Sequence, residues 1–205
     1  MRVTPLQITG IKVMVHFVSL GFVANMAYLV LSNQFGADPV DGITHYTGLA
    51  ALNTLIISML ISPIARFTQN GLLVRCRRVV GLYAFFWATL HMLTYFALDL
   101  TLNFTLLGQE IISRPYMTIG FISWVILLAL TVTSTAKIQR HMGVKWQKLH
   151  NFVYLALILS PIHFYWSAKS ELVEPTIYIV LALSLLAIRW KTLKRIVIRP
   201  VFRRT

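Results

Sequence analysis

The chain has 205 residues, is 57% hydrophobic and is only 12% charged, with 19 Lys and Arg against 6 Asp and Glu. That apolar content exceeds what the interior of a soluble domain this size can hold. Lipid is therefore the expected solvent, and no polar stretch is long enough for a separate soluble domain. The net charge of +13 follows membrane topology rather than pointing to nucleic acid, and the single cysteine, Cys76, excludes an internal disulfide and a multi-cysteine metal or iron–sulfur site.

Six apolar stretches follow in chain order, at 11–31, 49–65, 79–98, 116–134, 149–168 and 175–190. They predict an all-α integral membrane domain, a bundle of six transmembrane helices spanning residues 1–205. The first stretch reads as a retained span rather than a cleavable signal. It is long, it carries Asn25, and no small-residue cleavage site precedes the polar loop. No internal repeat or low-complexity segment is evident. Pro39, Pro115 and Pro175 fall at loop or helix-start positions, where proline costs little. Pro63 and Pro161 fall inside or near the ends of helices and predict local kinks.

Charge predicts the orientation. Arg66, Arg75, Arg77 and Arg78 follow the second stretch, and Lys137, Arg140, Lys145 and Lys148 follow the fourth. They share one side with Arg2, Lys12 and a basic tail from Arg189 to Arg204. Only Arg114 and Lys169 fall on the other side, together with all six acids, Asp38, Asp41, Asp99, Glu110, Glu171 and Glu174. Lysine and arginine resist translocation, so both termini are expected in the cytoplasm of a multi-pass membrane protein.

Three histidines carry the chemistry. His91 lies in the third stretch, and His150 and His163 lie in the fifth. A histidine in lipid is costly unless a function or a partner holds it. Neutral imidazole is a common metal ligand, including for haem iron. The third and fifth stretches run in the same direction, and His91 and His163 sit at similar depth in the outer half. Two such imidazoles can clamp one iron from both faces. His150 lies 13 residues before His163, about 20 Å lower, a spacing that suits a second cofactor in the inner leaflet. An ideal helix leaves that pair off one line, and Pro161 is the expected place for rephasing. The competing reading is that all three pack between helices, bonded to neighbours.

The segments 75-RCRRVVGLYAFFWATLHMLTY-95, 114-RPYMTIGFISWVILLALTVTST-135 and 145-KWQKLHNFVYLALILSPIHFYW-166 resemble the MsrQ family, as do 36-GADPVDGITHYTGLAALNTLIISMLISPIAR-66 and the basic tail. That family belongs to the ferric-reductase-like transmembrane group, which includes the NADPH oxidases. The resemblance implies a b-haem subunit of the bacterial inner membrane. Such a subunit feeds electrons to MsrP, a periplasmic molybdenum-containing methionine sulfoxide reductase, from the quinone pool or a cytosolic flavin reductase. It also implies an associated FMN, for which no residue here specifies a site. It carries His91, His150 and His163 over as haem ligands, for one or two haems per chain. The wider oxidase pattern has two histidines on each ligand helix. Here Arg77 and Arg78 stand where the inner partner of His150 is expected, with His16 and His141 as conceivable substitutes.

Arg77 and Arg78 are ordinary inside-positive anchors, and they are also candidates to bind a haem propionate or a flavin phosphate. His45, near Asp38 and Asp41, reads as a solvated loop residue rather than a metal ligand. Trp87 and Trp124 lie deep enough to pack on a macrocycle, with helix packing as the default. Cys76 lacks any partner residue and reads as inert. The chain has no phosphate-binding glycine loop, so NADPH oxidation is not expected of it alone. It reads as an electron-transfer subunit rather than a catalytic one. Two other classes stay open. One is a haem b subunit serving another oxidoreductase or ferric iron. The other is a non-redox transporter using membrane histidines, against which stands the absence of Asp or Glu inside the apolar stretches.

Overall fold

A computed structural model describes residues 3–168, 171–190 and 194, and every regular element among them is helical. α1 is Pro5–Leu31, α2 Pro39–Phe67, α3 Arg77–Thr94, α4 Phe104–Ser113 and α5 Pro115–Val132. Then come α6 Ala136–Met142, α7 Val144–His150, α8 Val153–Ser167 and α9 Val173–Ile188. A 3₁₀ turn at Gly71–Cys76 leads into α3, and a π turn at Tyr95–Asp99 continues it. Among the described residues, four segments are long and apolar enough to cross a membrane: Pro5–Leu31, Pro39–Phe67, Gly71–Asp99 and Pro115–Val132. α9 is a shorter apolar helix.

Local chemistry sets the helix starts. Thr4 and Gln7 form a reciprocal capping box at α1, with Thr4 Oγ1 accepting from the Gln7 amide and Gln7 Oε1 accepting from the Thr4 amide. Asp38 caps α2, Asn103 caps α4 and Thr135 caps α6, each accepting an amide three residues on. Pro39 and Pro115 occupy first-turn positions of α2 and α5, where no amide hydrogen is needed.

The core is built by α2, α3, α5, α8 and α9, with Leu55, Met59, Ala84, Leu127, Ala156 and Leu185 among its buried residues. α2 packs along α3, α5 along α8, and α8 along α9. α1 contributes nothing to this cluster. It buries only Ile8 and Ser19 and exposes Phe17, Leu20 and Phe22. Apolar side chains exposed in that way are stable against lipid and costly against water.

The predicted fifth helix, 149–168, is not one regular helix. His150 ends α7, and α8 begins at Val153. Between them the amides of Phe152 and Tyr154 reach back only three residues, to Leu149 and Asn151. Such tightened turns advance each residue further around the axis than an α-helix does. The helix is thus irregular at Asn151–Phe152, ten residues before Pro161, and there Asn151 also accepts from Gln147 Nε2 at 2.9 Å.

An internal repeat, faint in the residue types, is plain in the packing. The α2–α3 pair and the α5–α8 pair hold their histidines in the same way. A single displacement along the chain carries Thr44, Gly48, Leu55, Ala84 and His91 onto Tyr116, Gly120, Leu127, Ala156 and His163. It also carries Arg78 onto His150.

Candidate functional site

His91 projects from α3 and His163 from α8. His91 Nδ1 donates to the Thr44 carbonyl at 2.9 Å, and His163 Nδ1 donates to the Tyr116 carbonyl at 2.8 Å. Each acceptor lies 47 residues earlier, on the partner helix of its own pair. A carbonyl only accepts, so Nδ1 carries the hydrogen in both rings and Nε2 keeps its lone pair. This is how metal-ligating histidines are usually oriented.

One turn beyond each carbonyl stands a glycine that makes room for the ring. A Cβ on Gly48 would lie 3.1 Å from His91 Nδ1 and Cε1, and a Cβ on Gly120 would lie 2.8 Å from the same atoms of His163. The second distance is a clash. Sequence reading passed over both glycines. Their signal was the shared displacement that links them to the two histidines.

The two rings lie edge to face with centroids 6.2 Å apart and planes at 80°. A metal–imidazole bond is about 2 Å and the nitrogen lies roughly 1 Å from the ring centre, so two imidazoles on opposite sides of one metal have centroids about 6 Å apart. The spacing of the pair therefore fits two imidazoles that would hold one haem iron. Among the described residues, no three His, Cys, Asp or Glu come together to hold an ion by protein ligands alone. A site needing only two side chains suits that inventory. Tyr116 stacks on His163, and Thr44 Oγ1 is buried beside this site with no partner among the described residues.

His150 is in a different setting. Its Nε2 lies 3.1 Å from Thr133 Oγ1, and Trp146 stacks on its ring at 3.9 Å between centroids. Trp146 Nε1 also donates to the Thr133 carbonyl at 2.8 Å, tying α7 to the end of α5. Among the described residues no second histidine bonds to it or stacks on it, and the Arg77 charge acts on it. Arg77 and Arg78 part company: Arg77 is half-buried and donates to Met59 Sδ at 3.7 Å, while Arg78 is exposed.

Other candidates find ordinary partners. His16 Nδ1 is 2.7 Å from the Tyr83 hydroxyl on the exposed face of α1. His141 is exposed in α6. His45 pairs with Glu174 at 3.3 Å rather than with Asp38 or Asp41. Trp87 is fully buried against Tyr46 and Phe86, and Trp124 Nε1 donates to Thr89 Oγ1 at 3.1 Å. Cys76 is buried.

Arg189 departs from expectation. As the first residue of a basic tail it should lie in solvent, yet it is only 7% exposed. It donates from Nη1 to the Tyr154 hydroxyl at 3.0 Å and from Nη2 to the Met59 carbonyl at 2.9 Å. Met59 lies four residues before Pro63, which has no amide hydrogen to give it. Arg189 supplies the missing donor.

Residues 44–161 match the family model described as a ferric reductase like transmembrane component. The curated protein-methionine-sulfoxide reductase heme-binding subunit MsrQ of Enterobacter sp. (strain 638) is 50% identical over 196 residues, covering 95% of this chain and 98% of that protein. A match of that identity over nearly both full lengths, carried by a helical membrane domain with paired histidines, places the chain in the MsrQ family of ferric-reductase-like transmembrane proteins.

Proposed function

We propose that this chain is a b-haem membrane subunit that carries electrons across the bacterial inner membrane to a periplasmic molybdenum-containing, MsrP-like methionine sulfoxide reductase. The observation that supports it most is the His91–His163 pair, 6.2 Å apart, with both Nδ1 atoms committed to backbone carbonyls. The MsrQ relative's name, a heme-binding subunit of that reductase, supports the same reading. Bound haem would supply a one-electron couple at a depth that neither aqueous phase reaches.

The chain's own residues supply position and environment. His91 and His163 would hold a haem iron through Nε2, while Thr44 and Tyr116 hold the ring tautomers and Gly48 and Gly120 leave room for the rings. The core of α2, α3, α5 and α8 excludes water. In this reading six spans place both termini in the cytoplasm, electrons enter at the basic end from quinol or a cytosolic flavin reductase, and the partner docks on the acidic connections at 32–47 and 99–114, which include the first turns of α2 and the whole of α4. His150 and Arg77 belong to an inner site for a second haem or an FMN.

The test is reoxidation. Membranes holding the reduced chain should reoxidise on adding the partner reductase with methionine sulfoxide, and His91→Ala membranes should not. Reoxidation by ferric chelates alone, with none by the reductase, would favour the reading as a different haem b subunit.

A further inference from the structure

At the basic end of the bundle two of the guanidinium groups turn inward, with no acid beside them. Arg189 and Arg77 converge on one residue, Met59, which is fully buried: Arg189 Nη2 reaches its carbonyl and Arg77 Nη2 reaches its sulfur. Arg189 Nε is buried with no partner among the described residues. A thioether is a weak acceptor and leaves the Arg77 charge unanswered. All six acids of the sequence lie at the other end, and the ion pairs among described residues, His45–Glu174 and Arg114–Glu110, are both there. The residues outside the description carry no Asp or Glu. Buried charges are ordinarily paired, and removing a partner from one is strongly destabilising.

We infer that Arg77 and Arg189 form the two jaws of an anion site at the basic end, taking the carboxylate or phosphate of a cofactor held beside His150. Arginine binds both groups in a bidentate fork, and a carboxylate or phosphate answers two guanidiniums at once. Tyr154 orients one jaw through its hydroxyl. Met59 spaces the two. Arg78, which is exposed, takes no part. The site rests on the electron-carrier reading for the identity of its ligand, and on the uncompensated charges alone for its existence.

Arg189 also serves the fold, since it satisfies the carbonyl that Pro63 leaves free. The test therefore uses the full-length chain as Arg77→Gln, Arg189→Gln, Pro63→Ala and the double variant Pro63→Ala/Arg189→Gln. The alanine restores an amide for the Met59 carbonyl, so the double variant lacks the charge but keeps the backbone bond. Haem and FMN per chain and the midpoint potential are measured on each. Loss of one charge-assisted contact should weaken retention of the anionic cofactor about tenfold in Arg77→Gln and in the double variant, with Pro63→Ala near wild type. Loss of haem, or a more negative haem potential, identifies a propionate. Loss of FMN with haem intact identifies a phosphate. Folded Arg77→Gln and double variants with unchanged haem, FMN and potential would overturn the site. So would loss of bound anionic lipid alone. A wild type without haem would instead fail the electron-carrier reading, while the FMN measurement still reads the anion site.

Discussion

A glycine stands opposite each of two membrane histidines, and the two are not equally tight. Gly120 leaves 2.8 Å between an added Cβ and the His163 ring, whereas Gly48 leaves 3.1 Å at His91. Gly120→Ala should therefore push the ring off its carbonyl and weaken haem retention about tenfold, in the range seen when groups supporting a ligand are changed. Gly48→Ala should cost less. Haem per chain in the two purified variants checks the order. Equal, full retention in both would mean that ring position is not what holds the cofactor. His16 gives the opposite expectation. Its Nδ1 is taken by Tyr83 on an exposed helix face, so His16→Phe should keep haem at the wild-type level, and any loss would return it to the list of ligands.

At this scale, the sequence and the structure part where a backbone atom decides the outcome. His91, His150 and His163 stand out in sequence because imidazole is rare in apolar runs. Arg189 does not, because an arginine at the end of an apolar run looks like any interfacial anchor. Its inward turn depends on a carbonyl left free by Pro63, four positions past Met59 and far from Arg189 in sequence.

Among the elements, α7 is the one that depends most on a single side chain. It is short, it buries no residue fully, and Trp146 fastens it by stacking on His150 and by donating to the Thr133 carbonyl. Trp146→Ala should release α7 and cost about 1–3 kcal/mol, since the site is only half-buried and partly open to the surface. Thermal unfolding in detergent reads that cost. An unchanged melting temperature would show that α7 is held elsewhere. The depth match of His91 and His163 was legible because a helix climbs a fixed rise per residue. The tightened turn at Asn151–Phe152 was not. It lies inside a continuous apolar run, and only the short amide bonds of Phe152 and Tyr154 reveal it. The repeat of the helix pairs was equally hidden, since most of the positions it relates differ in residue type, as Thr44 and Tyr116 or Arg78 and His150 do.

For the whole molecule, two gradients run along the same axis. Acids gather at one end, where burial and the charges of Asp38 and Asp41 raise the pKa of Asp99, and the bases gather at the other. Periplasm-active reporters should therefore work when inserted in the loop at 99–114 and fail when fused after Thr205, and the reverse pattern would invert the proposed direction of electron flow. The paired histidines lie between these ends, inside a bundle whose core is apolar and whose outer faces suit lipid. The most direct test of the account is the reduced-minus-oxidised absorption spectrum of the detergent-purified chain, with haem counted per chain, for wild type, His91→Ala, His163→Ala and His150→Ala. The account predicts a b-type spectrum in wild type that disappears with His91 or His163 and weakens at most in part with His150. A colourless wild type after haem-supplemented expression, or a full spectrum in both His91→Ala and His163→Ala, would contradict it.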